Sequence, residues 1–499
     1  MQNQGDGSGL RIAYAGFVQF LTQLVGLGTG LLFVTLITRN LTVSDFGLWQ
    51  VIGSAVGIAI LPASVVTFWN LRGVARREDV GRTSVVAGML SLPLTFAILL
   101  AVSTGVGSRI ELVGFVVIAA LLQLPFMVLF ESVKGTIQAT KPAFLGYSSI
   151  FFEIAKVSVA FYLVIMLKVG LYGAILALAL AYAIQDLIII ITVKGKLGGR
   201  IDLALIKQWI KAAWVPLLDR GVSRLWSSDA ILVALMLGST VPVGLFQGPR
   251  IFTAIIMYSE IFLRVLYPKL IRDRLKADIG VAFRLQSLLE VPMVVGAVML
   301  AGDLLSVLGA EYVSSALLLQ LLAIVAVVES IERVMYFVLY GTETVDSKRD
   351  GYSFKNLKSS WLVKLPLLDL SKSVIYMGAL AAALYLFATP AKPELVALIW
   401  GIIYAVVTVP YAVLKLILAR KFFPHTLPWV QLVKYVVAGV VMGLVLLLFR
   451  GETPAELSVI SAVIRLGYLV GLGAGVYFGI LALIDSHFRG MVKTLTKRQ

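Results

Sequence analysis

The chain has no cysteine among its 499 residues, which excludes disulfides, thiolate metal sites and cysteine nucleophiles together. Its two histidines, His425 and His487, lie far apart near expected membrane edges, so neither a histidine metal centre nor a histidine base is expected. No Walker-type phosphate loop is present. The glycine-rich GKLGGR, 195–200, lacks the required spacing and sits in a basic linker. Charge is scarce as well: 14% of residues are charged, against about a quarter in soluble domains.

Apolar residues fill that space, at 59% of the chain. Runs long enough to cross about 30 Å of hydrocarbon, at roughly 20 residues each, recur from end to end. We read about fourteen: 12–37, 47–70, 83–106, 110–133, 145–167, 171–193, 212–237, 243–266, 285–308, 313–339, 365–388, 394–417, 428–449 and 457–484. The first has no small-residue cleavage site after it and is expected to be retained. The widest gap between spans, 340–364, leaves no room for a soluble domain. The expected fold class is an all-α polytopic membrane protein.

The net charge of +16 could point to nucleic acid, but its placement points to topology. Basic loops around Arg72 to Arg82, Lys134 and Lys141, Lys194 to Lys211, Arg264 to Arg284, Lys348 to Lys364 and Lys415 to Lys421 alternate with loops holding at most one of Arg39, Arg109, Lys168, Lys392 and Arg450. By the positive-inside rule the basic set is cytoplasmic. Both termini then lie inside a multi-pass protein of the cytoplasmic membrane. Anionic lipid is a partner of those loops, and nucleic acid is not.

FGLWQ, 46–50, is echoed by VGLFQ, 243–247, and GTIQAT, 135–140, by GTETVD, 341–346. Each echo displaces the chain by six spans. A repeat of six crossings returns the chain to its starting side, so the copies share orientation, and transporters so built place their site near the midplane. The expected organisation is an N-lobe over 1–194, a cytoplasmic linker over 195–211, a C-lobe over 212–420 and a C-terminal helix pair over 421–499. Within the echoes, the aromatic residue and the glutamine are expected to be local packing at an outer turn.

The run LITRNLTVSDFGLWQVIGSAVGI followed by NLRGVARRED resembles the N-terminal pattern of prokaryotic polysaccharide flippases. SSDAILVALMLGSTVPVGLFQGPRIF with YPKL after it resembles their mid-chain pattern. The chain thus resembles the lipid-linked oligosaccharide (Wzx-like) branch of the multidrug/oligosaccharidyl-lipid/polysaccharide (MOP) exporter superfamily. That resemblance implies two six-helix lobes in a V shape around a central cavity, plus two C-terminal helices. The 340–364 loop is longer and more charged than the family pattern.

Ionisable groups at membrane depth are costly unless paired or solvated, so each is a functional candidate. Lys156 follows Glu153 by three positions and Arg333 follows Glu329 by four, spacings that suit neutralised pairs. Arg465 sits where a long side chain can snorkel to headgroups. Counting from the turn near 239–242 pairs Asp229 with Arg250 and Arg220 with Glu260 by depth. Arg224 is left with no acidic residue at its depth, on the face of Arg220. An uncompensated guanidinium suits an anion, and its planar fork suits phosphate. The expected substrate-binding residues are therefore Arg224, Arg220, Arg250, Lys156 and Arg333. Asp219, Asp229 and Asp186 are the candidates for binding a coupling H⁺ or Na⁺. No other cofactor is expected.

These features point to a monomeric flippase of a lipid-linked oligosaccharide, with polysaccharide assembly enzymes as further partners and no enzymatic step. A cation-coupled multidrug exporter is the rival within the superfamily, and it would call for acidic residues where this chain has arginine. A membrane glycosyltransferase or polymerase would need a sizeable polar loop with paired carboxylates, which the short loops do not provide.

Overall fold

The computed structural model describes residues 25–110, 114–260, 276–341, 360–387, 392–422, 428–451 and 458–490. The regular elements among these residues are all helices, as hydrocarbon demands of a backbone that must satisfy its own hydrogen bonds. Nine of the described helices are long and apolar enough to cross a membrane, and eleven if each of two bent pairs is one span. The protein is a multi-pass membrane protein.

The difference from fourteen lies in three of the expected spans. Span one, 12–37, falls partly outside the described residues, and the helix that remains, α1 (Val25–Asn40), is short. Span eight, 243–266, is described only as α11 (Val241–Ile256) and a 3-10 turn, Met257–Glu260. Span seven, 212–237, is not one helix but two, α9 (Trp214–Trp226) and α10 (Asp229–Leu237). The hydroxyls of Ser227 and Ser228 donate to the carbonyls of Arg224 at 3.1 Å and Leu225 at 2.7 Å. Such local bonds offer the backbone an alternative to the helix ladder, and the helix ends there.

The other helices of this half of the chain are α2 (Val43–Ala59), α3 (Leu61–Ala75), α4 (Gly81–Gly107), α5 (Gly114–Thr140), α6 (Pro142–Ala160), α7 (Leu171–Val193) and α8 (Leu203–Lys211). Thr42 and Asp45 start α2 with a reciprocal capping box, each side chain accepting from the other's backbone N–H. The chain bends by 51° between α2 and α3, where Pro62 occupies the first turn of the new helix and fixes its starting φ. Pro125, by contrast, sits inside a continuous α5.

Contacts divide the chain into Met1–Gly244 and Leu245–Gln499. The division falls within α11 and not at the linker, because 195–237 packs with the helices before it. Ile206 and Trp209 of α8 bury with Val66, Val80 and Ala87. The GKLGGR segment docks on the start of α4, where a Cβ on Gly81 would lie 2.1 Å from the Lys196 carbonyl oxygen. Of its own glycines, Gly199 packs closely, where a Cβ would lie 2.3 Å from an Asp79 carboxylate oxygen, and Gly195 and Gly198 have open space beside them.

The glycines of the two echoes, Gly47 and Gly244, pack within the first unit. A Cβ on Gly47 would lie 1.9 Å from the Thr240 carbonyl oxygen, and one on Gly244 would lie 2.3 Å from the Val43 carbonyl oxygen. The Thr240 hydroxyl also donates to the Ser44 carbonyl at 2.8 Å, and the two hydroxyls are 2.9 Å apart.

The second unit holds α12 (Lys276–Met299), α13 (Ala301–Leu308), α14 (Ala316–Gly341), α15 (Trp361–Phe387), α16 (Pro393–Phe422), α17 (Trp429–Phe449) and α18 (Val459–Ile484). A 77° bend separates α12 from α13. Arg465 of α18, expected to snorkel to headgroups, donates through Nε to Asp303 of α13 at 2.8 Å. Arg450 donates to the Met299 carbonyl at 2.7 Å, so two guanidinium groups hold the bent corner. Elsewhere, Lys372 and Lys415 each reach Glu332 at 2.7 Å, and Lys415 also reaches Asp369 at 2.5 Å. This buried network ties α14, α15 and α16 together.

Candidate functional site

In the first unit a cavity of about 300 Å³ lies among α2, α5, α7 and α9. Trp49, Gln50, Gln123, Tyr182 and Arg224 supply its polar groups, and Val56, Ile60 and Leu178 are among its apolar ones. The helical repeat explains the α2 contribution: 49, 53, 56 and 60 share one face at three- and four-residue spacing. Trp49 and Gln50 of the first echo therefore face a cavity, contrary to the expectation of turn packing. In the second echo the aromatic does pack: Phe246 is buried and stacks on Trp400, centroids 3.8 Å apart.

Arg224 is the one charged residue of the lining. Its guanidinium approaches the backbone of α2 at Gly57, where a Cβ would lie 2.9 Å from Nη1. Glycine is what admits it. Among the described residues the Arg224 side chain has no carboxylate at ion-pair distance and no hydrogen bond, as its lack of an acidic counterpart in the sequence implies.

Arg220, one turn earlier on α9, stands 3.8 Å from Glu131 of α5. The side chain of Glu260, its expected partner, lies outside the described residues. Glu131 also accepts from the Thr67 hydroxyl at 2.5 Å and from Lys134 at 3.0 Å. Glu131 is not among the residues the sequence singles out. Its i,i+3 spacing from Lys134 was visible, but its role depends on helices α3 and α9 converging on it.

Lys156 is 8% exposed and pairs with Glu153 at 2.5 Å. Glu153 also accepts from the Thr29 hydroxyl at 2.7 Å, and the ammonium lies 5.2 Å from the Phe33 ring centroid. The pair is an α1–α6 fastening and is not part of the cavity lining. In the second unit, Arg250 lies over Phe246 and Tyr404, at 5.7 Å and 5.3 Å. Tyr404 donates to Glu329, and Arg333 stands exposed one turn beyond that glutamate. The structure thus brings Arg220 and Arg224 to one face of α9, and sets Lys156 apart from them.

Of the acidic candidates, Asp229 is buried at the start of α10 and accepts from the Ala230 amide at 2.9 Å. Asp219 is exposed on α9. Asp186 of α7 is 2% exposed, and among the described residues neither carboxylate oxygen has a hydrogen-bond partner. It lies one turn beyond Tyr182, within electrostatic reach of it. No cluster of three or more metal-ligating side chains occurs among the described residues.

No protein-family model matches the sequence, and no curated protein does. Solved structures do match. Lipid II flippase MurJ in an inward closed conformation aligns with a TM-score of 0.63 at 12% identity, covering 96% of this chain and 100% of that one. An inward-facing multidrug resistance MATE family transporter of the MOP superfamily aligns with a TM-score of 0.55 at 13% identity, covering 82% and 98%. The chain shares its fold with these two solved proteins. At these identities the likeness concerns architecture, and the choice of cargo rests on this chain's own side chains.

Proposed function

We propose that the protein is a flippase that moves a lipid-linked oligosaccharide, on a polyprenyl phosphate or diphosphate carrier, across the cytoplasmic membrane by alternating access, for cell-surface polysaccharide or glycoprotein synthesis. The observation that carries this reading is Arg224: the cavity's one charged group is a guanidinium, and no carboxylate among the described residues neutralises it. A cation at membrane depth with no counter-ion favours an anionic cargo and disfavours the cationic drugs of the rival reading. Arg224 and Arg220 would hold the phosphate, with Arg250 and Arg333 lining the path in the second lobe and Lys156 supporting the first. The likeness in fold to MurJ, itself a lipid flippase by name, supports the same reading.

Asp186 supports a coupling step. A buried carboxylate without a hydrogen-bond partner is unfavourable as an isolated anion, so it takes up a proton or holds a cation such as Na⁺. Asp219 and Asp229 are secondary candidates. The cycle makes and breaks no covalent bond, and the working unit is a monomer with its cytoplasmic loops on anionic lipid.

The test is reconstitution into liposomes with a fluorescent lipid-linked oligosaccharide, scoring movement between leaflets. Transport by the parent chain, lost in Arg224→Gln at equal membrane insertion, supports the proposal. Transport of cationic dyes with no lipid movement overturns it in favour of a drug exporter.

A further inference from the structure

The polar groups of the first-unit cavity share a property that a phosphate does not explain. Among the described residues the Trp49 indole N–H, the Gln50 amide and the Tyr182 hydroxyl make no hydrogen bond. Gln123 is 6% exposed and donates only to the Met127 thioether at 3.2 Å, a weak acceptor. Hydrogen-bonding groups at membrane depth are rarely left idle. Four such side chains converging on one cavity call for a ligand that is itself rich in donors and acceptors.

The aromatic rings narrow the chemistry. Trp49 is held by Phe33 and Phe46, each at 5.7 Å, and Tyr182 by Phe130 at 5.8 Å and Phe152 at 4.8 Å. These packed rings are fixed plates on a lining of aliphatic side chains. Flat apolar plates beside two carboxamides match a sugar ring, which presents C–H faces to aromatics and hydroxyl pairs to amides that donate and accept at once. A lipid tail would leave the amides unpaired, and an organic cation would meet Arg224 with no carboxylate in the lining. The volume, about 300 Å³, is at the small end of ligand sites and suits one ring.

We propose that this cavity is a subsite for a single sugar residue, the one joined directly to the carrier phosphate, with Gln50 and Gln123 reading its hydroxyls, Trp49 and Tyr182 stacking on its faces, and Arg224 holding the adjoining phosphate. The assignment rests on the flippase reading and adds a claim about selectivity: recognition is concentrated on the first sugar.

The test uses the full chain in nanodiscs and two probes, a polyprenyl diphosphate and the same lipid carrying one hexosamine. The readout is the ratio of their affinities. In the parent chain the sugar-bearing lipid binds more tightly. Gln123→Leu and Gln50→Leu are expected to reduce that preference by about tenfold, because a site built to bond hydroxyls loses its discrimination when a partner is removed. Arg224→Gln is expected to weaken both lipids together. Gln50 is partly exposed, so its variant carries the test if the buried Gln123 variant does not fold. An unchanged ratio in folded variants, with both lipids still bound, overturns the sugar subsite and leaves the flippase reading standing. Binding of cationic dye with neither lipid bound overturns both.

Discussion

Gly47 and Gly244 pack reciprocally: each abuts the backbone carbonyl of a residue four positions before the other, Gly47 on Thr240 and Gly244 on Val43. Both pairs are related by the same displacement that links FGLWQ to VGLFQ in the sequence. A contact in which each copy offers the same surface to the other is the signature of a local two-fold relation. The echo is therefore a pair of matching small-residue faces, and the two helices can approach closely only because both positions lack a Cβ.

Gly47→Val tests that approach. The new Cβ would fall on a carbonyl oxygen of the neighbouring helix, and backbone cannot swing aside as a side-chain tip can. Overpacking of this kind costs about 1–3 kcal/mol. A lower midpoint in thermal unfolding of the detergent-solubilised protein is expected, with Gly244→Val behaving alike. Unchanged midpoints in both would show that the helices are not in contact.

The absence of native cysteine makes a cross-link at this contact unambiguous. Ser44→Cys with Thr240→Cys places two thiols where the hydroxyls are 2.9 Å apart, a separation from which a disulfide can close with small adjustment. Oxidation is expected to shift the double variant on a non-reducing gel after proteolysis between the two positions. If alternating access separates these helices, transport stops on oxidation and returns with reductant. Transport that continues in the fully cross-linked protein would place the moving parts elsewhere.

Gly57→Ala makes the opposite prediction for stability. Its Cβ meets the tip of Arg224 at 2.9 Å, a mobile group and not backbone, so the unfolding free energy is expected to stay within about 0.5 kcal/mol of the parent's. Lipid binding is expected to fall because the guanidinium is displaced, and to fall further in Arg224→Gln. Equal binding by parent and Gly57→Ala would separate Arg224 from the site.

Much of this was legible in the sequence, for stated reasons. Apolar length sets the helices because hydrocarbon leaves the backbone no other partner, and Arg224 stood out because charge counting along one hairpin needs no tertiary information. The break at Ser227 and Ser228 was hidden, since two serines in an apolar run do not announce where their hydroxyls will turn. The cavity role of Trp49 and Gln50 is hidden in the sequence because composition does not say whether the face they occupy meets a neighbour or a cavity. Glu131 and Glu332 carry little sequence signal because each acquires its partners from two other helices, and Asp369 because its partner, Lys415, comes from α16.

The network at Glu332 gives the last prediction. Glu332 is 7% exposed and accepts from two buried lysines, Lys372 at 7% and Lys415 at 3%. Removing one member of a buried ion cluster leaves uncompensated charge, at a cost of about 3–5 kcal/mol. Glu332→Gln is therefore expected to be among the most destabilising single changes in the second unit. Asp369 remains on Lys415, so the change bears most directly on the Glu332–Lys372 pair. Adding Lys372→Met removes the other half of that pair, and the double variant is expected to recover part of the lost stability in thermal unfolding. Additive losses in the double variant would mean that Glu332 and Lys372 do not act as a pair, and that the three helices are held by apolar packing alone.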